Sequence, residues 1–358
     1  MRSFDYRWLE DCLWDGEVVS LLSQIHEYKG RQDLFVSPRP SSVARLVDIA
    51  KVQSVESSNR IEGIVTTKAR IRSLVADKTT PRNRDEEEIM GYRDVLNTVH
   101  ENYEYIDLTR HIVLQLHRDL YAYSHKGIGG QFKNVQNSII ERLADGSERE
   151  RFRPLSPYET PAAIDDFCHS INAVLQDKSV NPLLVIPVFI HDFLCIHPFN
   201  DGNGRMSRLL TTLLLYQNGY MIGKFISLEQ KIERTKDSYY AALAQSGAGW
   251  HTGDEDIVPF VKYMLRVILA AYRDFESRIE LLTMSLSAKD RIKIIISATI
   301  GKITKSGILE KQPDIAISTV EKALKELVEE GFIERHGVGR STFYVKVSQK
   351  ISFHAKYI

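Results

Sequence analysis

Apolar residues recur at helical rather than alternating spacing along most of this chain. Residues 1 to 104 read as amphipathic helices, broken at Ser37-Pro38-Arg39-Pro40-Ser41-Ser42. Lys78 to Asn83 reads as a turn, and the acidic run Asp85-Glu86-Glu87-Glu88 as the solvated first turn of the next helix. Leu183 to Ile196 is mostly apolar and helix-compatible. Arg205 to Leu215 places Met206, Leu209, Leu210, Leu213 and Leu214 at helical spacing. Two buried helices therefore flank one short loop. Extended signal is confined to two stretches. Asp145-Gly146 lies between short runs within Gly130 to Pro157, and Gly337-Val338-Gly339 lies within Phe332 to Lys346; both read as hairpins. The expected fold class is mainly α. A helical N-terminal region (1–104) precedes a helical core with one hairpin (105–273), and an α+β module (288–358) follows.

The loop between the two apolar helices reads His197-Pro198-Phe199-Asn200-Asp201-Gly202-Asn203-Gly204-Arg205-Met206-Ser207-Arg208. A helix N-terminus leaves backbone N–H groups unpaired and carries partial positive charge. Gly202, Asn203 and Gly204 stand where the second helix begins, and glycine lets a phosphate approach the backbone closely. Arg205 and Arg208 share one helix face and could hold successive phosphates. Asp201 is a single carboxylate, which suits Mg²⁺ held jointly with phosphate oxygens. His197 can take a proton from an incoming hydroxyl. Pro, Asn, Asp and Gly are also ordinary turn residues. The complete string is much harder to explain as a turn, and its parts describe nucleotidyl or phosphoryl transfer to a hydroxyl.

The string resembles the Fic-family signature, His-Pro-Phe-x-Asp/Glu-Gly-Asn-Gly/Lys-Arg-x-x-Arg, and meets every fixed position. The resemblance implies a Fic-type helical core with a β-hairpin flap. It implies a protein adenylyltransferase that uses ATP and Mg²⁺ to place AMP on Ser, Thr or Tyr hydroxyls of proteins, including itself. By position, His197 is the general base, Asp201 holds Mg²⁺, Gly202 to Gly204 cradle the anion, Arg205 binds phosphate and Arg208 reaches the γ-phosphate. Met206 and Ser207 fall beside the nucleotide as well. Relatives move phosphate, UMP or phosphocholine, or remove AMP. The Gly204-Arg205 pair favours AMP transfer over phosphate transfer.

Ser58 and Glu62 are four apart, one above the other on a helix face, with Gly63 as a C-cap. Read alone, the segment is a helix end with an exposed glutamate. It is similar to the inhibitory helix of Fic proteins, Ser/Thr-x-x-x-Glu-Gly/Asn. The resemblance implies a Glu62–Arg208 pair that takes the place of the γ-phosphate and restrains transfer.

In the same family the segment Gly130 to Pro157 corresponds to the flap that clamps the target by strand addition. Its usual Gln-Asn-Trp-Ile-Gly is Gln136-Asn137-Ser138-Ile139-Ile140 here. The family's Tyr-Tyr pair corresponds to Tyr239 and Tyr240, with Tyr240 the expected adenosine contact. Gly247 stands where some relatives carry an adenine-binding asparagine. His169 and His191 read as structural, and no partner is evident for His117 or His125.

Residues 288–358 carry 13 Lys+Arg against 8 Asp+Glu in a chain of net charge zero. Helix candidates at Asp290 to Ile300, Gly307 to Asp314 and Ser318 to Glu330, then the hairpin, resemble a winged helix-turn-helix. Ser318 reads as an N-cap and Gly331 as a C-cap. The third helix holds four glutamates against two lysines, so Arg335, His336, Arg340 and Lys346 are the better phosphate contacts. This module would meet DNA or a protein partner. A DNA-binding regulator with the helical core as sensor is the alternative to an enzyme, and a homodimer is a further expectation. Three cysteines (Cys12, Cys168, Cys195) give no disulfide framework. A Cys195–His197 nucleophile lacks an orienting third group. With no apolar signal core at the N-terminus and no long apolar run, the expectation is a cytoplasmic protein without a membrane span.

Overall fold

The computed structural model describes residues 4–36, 40–142, 147–283, 286–299 and 301–347. Helix dominates. In order come α1 (Gly16–Val36), α2 (Pro40–Ile61), α3 (Lys68–Val75), α4 (Arg84–Asn102), α5 (Arg110–Leu120), the strands β1 (Ile139–Arg142) and β2 (Glu148–Phe152), α6 (Thr160–Asp177), α7 (Pro182–Ile196), α8 (Asn203–Gln217), α9 (Leu228–Arg234), α10 (Lys236–Gly247) and α11 (Val258–Thr283). The chain divides into two compact units, residues 1–38 with 46–275, and residues 39–45 with 276–358. Both sides of the 104–105 border fall in the first unit, because α4 packs on α5 and α8.

The first unit is built around α7 and α8, which pack on one another. Almost every residue of both is buried, including Leu183, Phe189, Phe193, Leu209 and Leu213. A helix buried on all sides needs apolar residues around the whole circumference, and α7 has them; α8 instead buries Arg205, Ser207, Arg208, Thr211 and Thr212 beside its leucines, each hydrogen-bonded. Side-chain caps set several helix starts. Asn83 accepts from Glu86 N at 3.0 Å, Thr109 from Ile112 N at 3.3 Å and Asn181 from Leu183 N at 2.9 Å. β1 and β2 form the expected antiparallel hairpin, with a bulge between Ile139 and Ile140. Its Asp145-Gly146 turn lies outside the described residues.

The acidic run at 85–88 is not a solvated turn. Glu86 and Glu88 are buried. Glu86 pairs with Arg70 and sits at a pKa of about 2, lowered chiefly by the Arg70 hydrogen bond. Four consecutive acids span the whole helix circumference, so some must face inward.

The second unit contains α12 (Ala288–Ala298), β3 (Lys302–Ile303), α13 (Lys305–Lys311), α14 (Ile317–Glu329), β4 (Ile333–His336) and β5 (Phe343–Lys346). The sheet is antiparallel in the order β3-β5-β4. Its core joins Ile292, Ile296, Ile308, Leu324, Leu327 and Ile333. Two sequence expectations need correction. α14 begins at Ile317 and is capped by Ala316 without a side-chain bond, two residues before the expected cap, so Ser318 is not its N-cap. β3 was not anticipated, since two residues are too short to show alternation. Gly331, Gly337 and Gly339 do adopt positive φ, as their turns require. The side chain of Arg340 lies outside the described residues. Among the described residues no helix is long and apolar enough to cross a membrane.

Candidate active site

The catalytic-type loop joins the end of α7 to the start of α8. His197 caps α7 in the left-handed region, at φ 51° and ψ 62°. Gly202 caps α8 at φ 87° and offers no side-chain bond to the helix. The first N–H groups of α8 are thus left for an anion, as the sequence suggests. The loop is closed internally. Asn203 accepts from Phe199 N at 2.9 Å and donates to Phe199 O at 2.8 Å.

His197 lines a cavity of about 800 Å³, together with Glu62, Gly204, Arg208, Tyr239 and Tyr240. Burial pulls its pKa down to about 4, outweighing the raising effect of the Leu194 carbonyl. The ring is therefore neutral at neutral pH. Nδ1 lies 3.2 Å from Leu194 O, which can only accept, so Nδ1 carries the hydrogen. Nε2 then keeps its lone pair, the state a general base needs. The flap adds Ile139, Arg149, Arg151 and Phe152 to the cavity wall. Arg151 also donates to the carbonyl of Tyr240. Gly247 lines the wall, and a side-chain carbon there would meet only the Phe152 ring, at 3.8 Å.

The expected Glu62–Arg208 pair is present. Arg208 Nη2 donates to Glu62 Oε1 at 2.7 Å and to Ser58 O at 2.9 Å, while Nε donates to Ser58 Oγ at 2.8 Å. Ser58 and Glu62 thus grip one guanidinium from one helix face. Gly204 makes room for this. A carbon on it would fall 2.3 Å from Glu62 Oε1.

Arg205 and Asp201 belong to another cluster. Arg205 is 1% exposed and its Nη2 contacts Glu88 Oε2 at 2.8 Å and Tyr121 Oη at 2.7 Å. Lys126 bridges Asp201 at 2.6 Å and Glu88 at 2.9 Å. Burial raises the pKa of Asp201, but Lys126 and Arg205 outweigh it and hold the carboxyl ionised. Arg205 Nε and Nη1 make no hydrogen bond among the described residues. The side chain of Met206 is fully buried and its N–H is taken by the Gly202 carbonyl at 2.9 Å. Ser207 Oγ donates to Gly204 O at 2.8 Å.

Sequence reasoning missed Glu88, Tyr121, Lys126, Lys133 and His117. His117 stacks on Phe199 with centroids 3.6 Å apart, accepts from Gly130 N at 3.1 Å and lies 3.0 Å from Asp201 O. It ties the flap's base to the loop. No motif marks these residues, because packing of α4, α5 and the flap's leading segment brings them in. Cys195 Sγ sits 3.8 Å from the His191 ring.

A neutral histidine ending α7, an uncapped start of α8 and two buried arginines in its first turns are the parts a phosphate-handling site in a helical domain would use. Residues 107–215 match the model of the Fic/DOC family. The protein adenylyltransferase Fic of Drosophila melanogaster is 26% identical over 322 residues, covering 87% of this chain and 58% of that protein. The adenylyltransferase Fic of Nematostella vectensis is 24% identical over 250 residues, covering 66% of this chain and 51% of that protein. The chain thus spans little more than half the length of these relatives. Among solved structures, a Fic family protein from Desulfovibrio desulfuricans aligns with a TM-score of 0.61 at 20% identity, covering 94% of this chain and 98% of that one. A Fic domain-containing protein from Bacteroides thetaiotaomicron aligns with a TM-score of 0.59 at 24% identity, covering 74% and 97%.

Proposed function

We propose that this site transfers AMP from ATP to Ser, Thr or Tyr hydroxyls of proteins, this chain included, and that Glu62 holds the transfer back. The observation that carries the reading is the 2.7 Å Glu62–Arg208 pair in the cavity that also holds His197 and Gly204. An incoming hydroxyl would give its proton to Nε2 of His197 as its oxygen attacks the α-phosphorus. The new P–O bond forms as the bond to the bridging oxygen breaks, and pyrophosphate leaves. N–H groups at the start of α8 and the Arg208 guanidinium would take up phosphate charge. With Glu62 on Arg208, the γ-phosphate loses its cation and meets a like charge.

Asp201 fits Mg²⁺ as one ligand among phosphate oxygens. Its carboxylate is 44% exposed and already accepts a cation, Lys126. Among the described residues no group of three or more His, Cys, Asp or Glu could hold a metal without phosphate. Mg²⁺ when bound would neutralise charge on the phosphate oxygens. Lys126 would keep Glu88 as its partner. The reading places the protein in the cytoplasm, where Cys12, Cys168 and Cys195 stay free thiols.

The test is incubation of the parent, Glu62→Gly and Glu62→Gly/His197→Ala with ATP labelled on the α- or the γ-phosphate. We expect α-label on protein in Glu62→Gly and its loss with His197→Ala, by about 10²–10⁴-fold. Transfer of γ-label instead would make the enzyme a phosphotransferase. Equal labelling by parent and Glu62→Gly would remove the inhibitory role.

A second reading concerns residues 286–347. The element order helix-strand-helix-helix-strand-strand favours a winged helix that docks on duplex DNA. Glutamates of α14 are occupied locally, Glu321 by Lys305 and Glu326 by Lys289. The exposed Arg335, His336 and Lys346 of the hairpin would meet phosphates. Retention on duplex DNA should then fall steeply between low and high salt. Salt-indifferent binding or none would leave a protein-docking module.

A further inference from the structure

Lys133 lies at the base of the flap and is 2% exposed. A buried ammonium costs several kcal/mol unless it is partnered, and an apolar side chain would fill the same space without that cost. Its partner is the last carbonyl of α7. Nζ donates to Ile196 O at 2.9 Å. A helix C-terminus leaves such carbonyls unpaired and favours a cation beside them. The backbone N–H of the same lysine donates to Pro198 O at 2.8 Å. One residue thus holds the carbonyls immediately before and after His197.

His197 needs such a hold. Its φ of 51° is unusual for a residue with a side chain. That conformation persists only where the surroundings over-determine it. The sense in which the chain leaves α7 decides where the imidazole points. Here it points into the cavity, with Nδ1 returned to Leu194 O. Asn137 adds a third flap bond to the loop, donating to Phe199 O at 3.1 Å.

We propose that Lys133 is the positioning residue for His197, clamping the carbonyls on either side of it so that the ring presents Nε2 to the cavity. The inference rests on the reading of His197 as the base in AMP transfer. Two charged groups act on the ring through space. Lys133 disfavours its protonated form and Glu62 favours it. Lys133 itself is brought down to about 8 by burial.

The test compares Lys133→Met and Lys133→Arg, each in the Glu62→Gly chain, by three measurements. These are turnover at saturating ATP, ATP affinity by calorimetry, and the His197 tautomer by ¹⁵N-histidine NMR at pH 7.5. The His197 signal is assigned by its loss in His197→Ala. We expect Lys133→Met to lower turnover on the order of tenfold or more, as small misplacements of reacting groups do. ATP affinity should hold within twofold, and the Nδ1–H tautomer should give way to a mixture. Lys133→Arg should recover most of the turnover and the single tautomer. Unchanged turnover in Lys133→Met overturns the proposal. So does a fall with the tautomer unmoved, or one matched by lost ATP affinity and not recovered by arginine. If Glu62→Gly transfers no AMP at all, the functional reading fails, and the tautomer alone decides the role of Lys133.

Discussion

Arg205 and Arg208 stand one turn apart at the start of the same helix, yet they are held in opposite ways. Arg205 is gripped by Glu88, a carboxylate buried on α4, and by the Tyr121 hydroxyl. Arg208 is gripped by Glu62, whose side chain is 32% exposed at the end of α2 and lines the cavity. A buried carboxylate has nowhere to go, so the first pair is scaffold. The second carboxylate can turn toward solvent at little cost, so the second pair is displaceable. One signature therefore carries an arginine paired inside the core and another paired to a partly exposed carboxylate at the cavity wall.

Breaking the two pairs should separate these roles. Glu88→Ala leaves the buried Arg205 with only the more distant, half-exposed Asp201 as counter-charge, and we expect a loss of about 3 kcal/mol of stability by denaturant unfolding. Glu62→Ala should cost less, because its carboxylate is partly exposed and the buried Arg208 keeps both of its Ser58 bonds. Similar losses for both would erase the distinction. For activity the order reverses. Glu62→Gly should raise self-labelling from α-labelled ATP about 5–150-fold, the range of a 1–3 kcal/mol coupling. Glu88→Ala should raise it not at all.

The sequence speaks clearly about one of these arginines and hardly about the other. Ser58, Glu62 and Arg208 belong to two short strings with fixed internal spacing, and spacing on a helix dictates a shared face. Glu88, Tyr121, Lys126 and Lys133 have no such string. They reach the loop through packing of α4, α5 and the flap's leading segment, and pairing over such separations leaves no periodic trace. The acidic run misled for a related reason, because charge alone does not say which of four successive residues faces inward. Helices α7 and α8 were legible because both are apolar over long stretches, whereas the two-residue β3 was too short to alternate.

Acid should probe both sides of the loop at once. His117 on the Arg205 side and His197 on the Arg208 side are each brought to about 4 by burial. Both stay neutral when folded, while the unfolded chain binds protons below about 6.5. The unfolded state then holds more protons, so stability is present above about 6.5 and falls as pH drops toward 4. Each histidine contributes a slope of up to about 1.4 kcal/mol per pH unit. His117→Gln and His197→Gln should each flatten the acid limb of unfolding followed by circular dichroism. Only His197→Gln should abolish labelling.

The smallest expected effects make the finest comparison. Tyr121→Phe removes the hydroxyl that accepts from Arg205 at 2.7 Å and leaves Glu88 in place. Ser58→Ala removes the hydroxyl that accepts from Arg208 at 2.8 Å and leaves the Ser58 carbonyl and Glu62. Each deletes a buried hydrogen bond to a guanidinium, worth about 1–3 kcal/mol, together with a second contact, Tyr121 to Asp201 or Ser58 to Tyr92, so thermal unfolding should shift by a few degrees in both. The consequences for labelling should differ. Loosening Arg205 disturbs a residue that stays in its pocket, and labelling should remain within about twofold of the parent. Loosening Arg208 weakens the geometry that Glu62 needs, and labelling should rise by about fivefold, the equivalent of about 1 kcal/mol. A rise in Tyr121→Phe equal to that in Ser58→Ala would mean that the two arginines move together, and that the grip on Arg205 is as much a part of the restraint as the grip on Arg208.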